Sequence, residues 1–354
     1  MNWEEKVRKV VPYVPGEQPT GSGIVKLNTN ENPYPPAPGV ADALRSMAND
    51  YDEMRRYPDP DAASLTQALA DHYGVKEDQV FVGVGSDDVL AMSFLTFFDS
   101  DKPLLFPDIT YSFYEVWAKL FRIPHKKMPL RCDFTIDPEA YLEPNGGVII
   151  ANPNAPTSIY LDLDSIEKIV AGNPDSVVII DEAYIDFGGK SALPLINKYE
   201  NLLVVQTFSK SRSLAGARIG MAFGSAKIIS YLKDVKFSFN SYTMSQDAIR
   251  IGAAVASLSD ESYFSDVTNR IVKTREEAVE RFKALGFSVL PSATNFLFVS
   301  HSDRNASDIY NALKEKNIYV RYFNSPRIDN HLRITIGTPE EMEKLYNALQ
   351  EVLK

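Results

Sequence analysis

The segment Thr207–Gly220 reads TFSKSRSLAGARIG and follows an apolar run, Asn201–Gln206. It sets Lys210 just past that run, among the hydroxyls of Thr207, Ser209, Ser211 and Ser213, with Arg218 further along. A lysine at the end of a buried strand loses its charge by desolvation and becomes an amine that traps a carbonyl. Hydroxyls and an arginine beside it hold a phosphate. An amine next to a phosphate cradle is what pyridoxal 5'-phosphate requires: a Schiff-base partner for its aldehyde and an anion site for its tail. The competing reading is a solvated lysine in a serine-rich loop.

Other residues fit the same chemistry. Asp181 closes the run VVIID. A buried carboxylate there pairs with a protonated pyridine nitrogen and keeps the ring electron-withdrawing, although a lone Asp equally reads as a helix cap. One strand–crossover–strand unit separates Asp181 from Lys210, which puts them on neighbouring strand ends. Gly83, Gly85, Ser86 and Asp87 lie where a strand meets a helix. Glycines there let backbone N–H groups approach a phosphate, but the third glycine of a dinucleotide fingerprint is missing, and Asp87 alone reads as a cap. Asn154, in the proline-rich turn ANPNAPTS, offers an amide to a phenolate oxygen, and Tyr184 offers a hydroxyl. Tyr111 suits stacking on a ring. Tyr57, in RRYPDP, sits among turn formers and by itself says nothing. Arg321 (VRYF) and Arg333 (LRITIG) lie in apolar strands. There an arginine faces solvent, pairs with a carboxylate, or awaits an anion.

These residues need elements to position them. The first 35 residues, rich in Pro and Gly, read as an extended arm. Helices are expected over residues 40–49 and 62–73, the second closed by Gly74. Strands are expected at 81–85, 103–106, 147–153, 176–184 and 201–209. Helices fall between them, over 87–98, 112–121 and 163–171. The continuous apolar, β-branched runs mark strands buried on both faces, hence a largely parallel sheet. Ligands of such sheets sit at the C-terminal strand ends, where Ser86, Asp181 and Lys210 fall. A large domain over 36–240 is expected. A smaller C-terminal α/β domain over 241–354 should contain a helical region at 245–285, strands at 295–299, 318–323 and 332–337, and a helix at 307–316. Thr338, Pro339 and Glu341 should start a last helix with a capping box.

The net charge of −10 and pI near 5.1 exclude a general affinity for nucleic acid or anionic membrane. No apolar run is long enough for a membrane span, and the N-terminus lacks the apolar core of a signal peptide. A single cysteine, Cys132, rules out an intramolecular disulfide and fits a reducing cytoplasm. Four scattered histidines give no metal-ligand spacing.

With Lys210, Asp181, Asn154 and Arg218 in this order, the chain resembles fold-type I pyridoxal-phosphate enzymes of the aspartate-aminotransferase superfamily. It is most similar to the histidinol-phosphate aminotransferases. PYVPG, LNTNENPYPP (27–36), RYPDPDAASL (56–65) and TFSKSRSLAGARIG carry the likeness, and VRYF and LRITIG agree. The resemblance implies that Lys210 holds the cofactor and then shuttles a proton. It implies that Asp181 pairs with the ring nitrogen, Asn154 and Tyr184 bond the phenolate oxygen, and Tyr111 stacks on the ring. Ser86, Asp87, Ser209 and Arg218 would surround the cofactor's phosphate. Tyr57 would reach the partner subunit's cofactor in an obligatory homodimer. Arg321 and Arg333, with Tyr13 and Asn30 nearby, would grip the substrate's phosphate. The implied reaction moves an amino group between L-glutamate and imidazole-acetol phosphate, giving L-histidinol phosphate in histidine biosynthesis. Aromatic-amino-acid aminotransferases and threonine-phosphate decarboxylases share these motifs and remain alternatives; a regulator without turnover is disfavoured by the intact lysine. NPNAPTS stands where NPNNPTG is common in the family, and GSDD where GSDE is frequent, which leaves the role of Asp88 open.

Overall fold

The computed structural model describes residues 2–49, 51–256 and 261–354. The N-terminal segment carries β1 (Val25–Lys26), then α1 (Pro38–Asn49) and α2 (Ala63–Tyr73). The alternation follows: β2 (Val80–Val84), α3 (Ser86–Phe97), β3 (Leu104–Pro107), α4 (Phe113–Phe121), β4 (His125–Met128), β5 (Gly147–Ala151), α5 (Leu163–Gly172), β6 (Val178–Asp181), β7 (Leu202–Thr207) and β8 (Ile219–Gly224). Then come α6 (Ala226–Phe239), α7 (Gln246–Ala256), α8 (Glu261–Ala284), β9 (Phe287–Val289), β10 (Phe296–His301), α9 (Ala306–Glu315), β11 (Ile318–Tyr319), β12 (Arg321–Tyr322), β13 (Leu332–Thr335) and α10 (Pro339–Val352).

Seven strands form one sheet in the order β2-β8-β7-β6-β5-β3-β4. The central runs alternate their side chains between two cores, as a pleated strand must. Val148, Ile150, Val178, Ile180, Leu202 and Val204 enter one. Ile149, Ile179, Leu203 and Val205 enter the other. Both faces are dry, which is why these strands read as unbroken apolar runs. Each neighbouring pair is parallel except those made by β8, which runs antiparallel to β2 and β7. The sequence reading misses β8, because Gly220 and Gly224 are poor strand formers. The fold needs Gly220: a Cβ there would sit 2.2 Å from the carbonyl carbon of Gly85. It also misses β4, a polar edge strand (HKKM) with no apolar alternation.

A second sheet, β12-β13-β10-β9, packs its own core with α8, α9 and α10. The expected strand at 318–323 is split: β11 pairs with β1, and β12 with β13. Val25 and Leu27 of the supposed arm are thus buried in this second core. Met244, Ile249 and Val255, by contrast, join the first core. The expected helical region over 245–285 forms α7 and α8 and passes through residues 257–260, which lie outside the described residues. α10 begins with the anticipated capping box: the Glu341 amide donates to the Thr338 side chain, and Glu341 accepts from the Thr338 amide. Among the described residues no helix is long and apolar enough to cross a membrane.

Candidate active site

A cleft of about 480 Å³ opens at the C-terminal ends of β6 and β7, between the two sheets. Tyr13, Asn30, Ser86, Asp87, Tyr111, Asp181, Tyr184, Ser209, Lys210, Arg218, Arg321 and Arg333 all line it. β6 and β7 are parallel neighbours, with Asp181 opposite Val205, so one planar ligand could touch Asp181 and the lysine that follows β7. Lys210 is half-buried; among the described residues its Nζ donates to the Thr29 carbonyl, at 3.2 Å, and it lies 5.8 Å from the centre of the Tyr184 ring.

Asp181 is buried, accepting from the Tyr114 hydroxyl at 2.7 Å and the Ala183 amide at 3.2 Å. Burial pushes its carboxyl up to about 6 against these donors, and Asp87 adds repulsion. Among the described residues no cation answers it, so the site suits one from a ligand. Raising a carboxyl this way destabilises the free protein as pH climbs through the ordinary and then the raised value. Asp181→Asn removes that cost. From about pH 4 to pH 7 the variant should therefore gain about 3 kcal/mol of stability relative to wild type, two pH units at about 1.4 kcal/mol each. Urea unfolding across that range checks it, and a pH-independent difference would refute it.

One end of the cleft is built from glycines and a helix start. Gly85, with φ +81°, caps α3. A Cβ on it would meet the Arg218 guanidinium at 2.4 Å, so only glycine lets that arginine close over the helix N-terminus, where free N–H groups favour an anion. Arg218 lies 3.6 Å from Asp87, whose other oxygen accepts from the Tyr111 hydroxyl at 2.8 Å. The Ser209 hydroxyl is 2.9 Å from that of Thr207. Asp88 turns away and accepts from the Val84 amide; it braces the loop.

At the opposite end Arg321 and Arg333 face each other across β12 and β13. Arg333 is enclosed, donates to the Asn28 carbonyl at 3.0 Å, and has a buried Nε without a partner. Burial depresses its basicity; the neighbouring groups are Arg321 and the phenols of Tyr184, Tyr13 and Tyr111, with no carboxylate among them. Arg321 donates to the Val14 carbonyl of the N-terminal segment. Tyr13 stacks on Phe113 with ring centroids 4.1 Å apart.

Two expected residues stand elsewhere. Asn154 is buried outside the cleft. Its amide donates to the Ile109 carbonyl and the Thr157 hydroxyl, both at 2.9 Å, and its oxygen accepts from Thr110. With both hydrogens engaged, it cannot serve a phenolate oxygen; Ala155 is the residue of this turn that lines the cleft. Tyr57 is 81% exposed, stacks on Tyr242, and is not part of the cleft. Asn30 is present, but its amide donates to the Tyr184 hydroxyl. Sequence reasoning missed Tyr114, indistinguishable among 18 tyrosines, and Thr29, which contributes only a carbonyl. Thr207 was legible as one of the hydroxyls around Lys210.

The family profile described as "Aminotransferase class I and II" matches residues 22–349. The chain is 53% identical to histidinol-phosphate aminotransferase 1 of Hydrogenovibrio crunogenus over 352 residues, covering 99% of this chain and 98% of that one. It is 52% identical to an Acinetobacter baumannii histidinol-phosphate aminotransferase, covering 99% and 96%. The crystal structure of the Sinorhizobium meliloti histidinol-phosphate aminotransferase in complex with pyridoxal-5'-phosphate superposes with a TM-score of 0.84, at 28% identity, covering 93% of this chain and 91% of that one.

Proposed function

Because the chain belongs to the class I and II aminotransferase family, we propose that it is a pyridoxal-phosphate-dependent transaminase that reversibly moves an amino group from L-glutamate to imidazole-acetol phosphate, giving 2-oxoglutarate and L-histidinol phosphate. The observation that carries the reading is the polarity of one cleft: at one end a buried carboxylate with no cation partner among the described residues, in the same cleft as Lys210, and at the other two arginines with no carboxylate partner among the described residues.

The residues present fit the cofactor. Asp181 lacks a cation, Lys210 has an amine held by one carbonyl, and Gly85 makes room for Arg218 over a helix N-terminus. When bound, pyridoxal 5'-phosphate supplies a carbonyl that captures amines and a ring that accepts the electron pair left when the substrate's Cα–H bond breaks. Asp181 holds the proton of the ring nitrogen, a cation that lowers its own burial cost. Lys210 would hold the cofactor's carbonyl end, and its Nζ would serve as the acid/base that moves the proton of the substrate Cα. Tyr184 donates to the phenolic oxygen, and Tyr111 covers the ring face. Ser86, Ser209, Arg218 and the backbone N–H of Asp87 at the helix start would hold the phosphate.

Arg321 and Arg333 grip the substrate's distal anion, with Tyr13 closing over it. A guanidinium pair accepts the glutamate carboxylate and the histidinol phosphate in turn. The reading includes a cytoplasmic homodimer in which the exposed Tyr57, stacked on Tyr242, reaches the partner subunit's cofactor phosphate. An aromatic pair left this exposed suits a protein contact.

The test is the visible spectrum of the cofactor-loaded protein mixed separately with L-histidinol phosphate, L-phenylalanine and O-phospho-L-threonine. Rapid discharge of the cofactor by histidinol phosphate alone is the expected result. Equal discharge by phenylalanine would make it a broad aromatic aminotransferase. Reaction with phosphothreonine alone, with CO2 released, would replace the reading by a decarboxylase.

A further inference from the structure

Asn30 lies at the seam between the two units and is buried, with φ +57°, a left-handed conformation that asparagine tolerates. Three contacts fix it to the C-terminal unit. Its amide N–H donates to the Thr335 hydroxyl at 3.0 Å, the same hydroxyl donates to Asn30 Oδ1 at 3.1 Å, and Asn295 Nδ2 donates to the Asn30 carbonyl at 3.0 Å. Because Thr335 gives its only proton to Oδ1, Nδ2 must face the other way. There it donates to Tyr184 Oη at 2.8 Å. An amide nitrogen cannot accept, so Asn30 never takes the phenolic proton of Tyr184. That proton is left for another acceptor, and Lys210 Nζ lies 5.8 Å from the centre of the same ring. The neighbouring turn supplies no side-chain substitute: Ala155 presents a methyl, and the Asn154 amide is engaged elsewhere.

We propose that Asn30 is a positioning residue that sets the hydrogen-bond polarity of Tyr184, making that tyrosine a donor toward the phenolic oxygen of the bound cofactor. The proposal rests on the reading that Tyr184 meets that oxygen. A donor there draws off phenolate charge, which otherwise stabilises the proton on the nitrogen that joins Lys210 to the cofactor. Asn30 thus lowers that nitrogen's proton affinity through Tyr184, and anchors the setting in the C-terminal unit through Thr335 and Asn295.

The test is a pH titration of the visible absorption of the cofactor-loaded protein, without substrate. Asn30→Asp keeps the shape and the backbone conformation but offers Tyr184 an acceptor, so the tyrosine's proton turns away from the cofactor. The midpoint should rise by about one pH unit, a tenfold gain in proton affinity, as it should in Tyr184→Phe. The added carboxylate raises the midpoint by its charge as well, so the coupling decides. The other charged and titratable groups near Tyr184, namely Lys210, Arg333 and Tyr111, are common to all variants. In the Tyr184→Phe background the rise caused by Asn30→Asp should shrink by about one unit. Asn30→Ala adds no charge but removes the N–H that donates to Tyr184 Oη and polarises its O–H, so the proton affinity should rise several-fold. Equal effects of Asn30→Asp in both backgrounds, or an unmoved midpoint in Asn30→Ala, would overturn the proposal while leaving the role of Tyr184 intact. If Tyr184→Phe itself moves nothing, the underlying reading of Tyr184 fails instead.

Discussion

Lys210→Ala folds normally and does not transfer amino groups. The fold survives because Nζ makes one hydrogen bond, to the Thr29 carbonyl, from a half-buried position. Losing such a bond costs about 1 kcal/mol. The chemistry should not survive, because in the proposed mechanism one amine both anchors the cofactor and moves the proton. Proton transfer by a placed side chain is alone worth about 10²–10⁴-fold, so the combined loss should exceed about 10⁴-fold. A thermal melt close to wild type together with an absent single-turnover signal is the expected pair of results. Full activity in this variant would remove the central claim about the cleft.

Arg333→Ala weakens binding of the phosphate-bearing substrate by roughly 2–5 kcal/mol, the usual effect of deleting one partner of a buried charged contact. It should appear as a higher apparent dissociation constant for histidinol phosphate, with glutamate weakened as well. Stability supplies a second, independent readout. Were Arg333 half of a structural ion pair, its removal would cost about 3–5 kcal/mol in the free protein. Among the described residues it has no carboxylate partner, and its Nε is unpartnered, so burying its charge is already a cost without ligand. The free variant should therefore unfold no earlier than wild type. A variant that binds phosphate substrate normally but melts early would make Arg333 structural.

The three buried strands β5, β6 and β7 were legible because their apolar runs have no polar face to offer solvent. A run of that kind with crossover-length spacers has few topological solutions, and these bring Asp181 and Lys210 to adjacent strand ends. α10 was legible because its cap is a local code written in Thr338, Pro339 and Glu341. β8 was hidden by Gly220, whose missing side chain answers to Gly85, far away in the chain. Tyr114 was hidden for a related reason: nothing local marks which tyrosine will reach Asp181.

The turn at Asn152–Ser158 shows where reading along the chain stops. The sequence places an amide, Asn154, near the strand end. Only the tertiary structure decides that this amide turns toward Ile109 and Thr157 and that Ala155 meets the cleft. Asn30 is the same case across a longer span, since its partners Tyr184, Asn295 and Thr335 come from both units. The sequence by itself determined the class of chemistry, because strand ends, a helix N-terminus and the placement of Lys210 and Asp181 follow from local periodicity and burial. The tertiary structure decided which loop side chains face the ligand and which proton each one offers. Loop directions are set by hydrogen bonds between distant residues, and no local pattern encodes them.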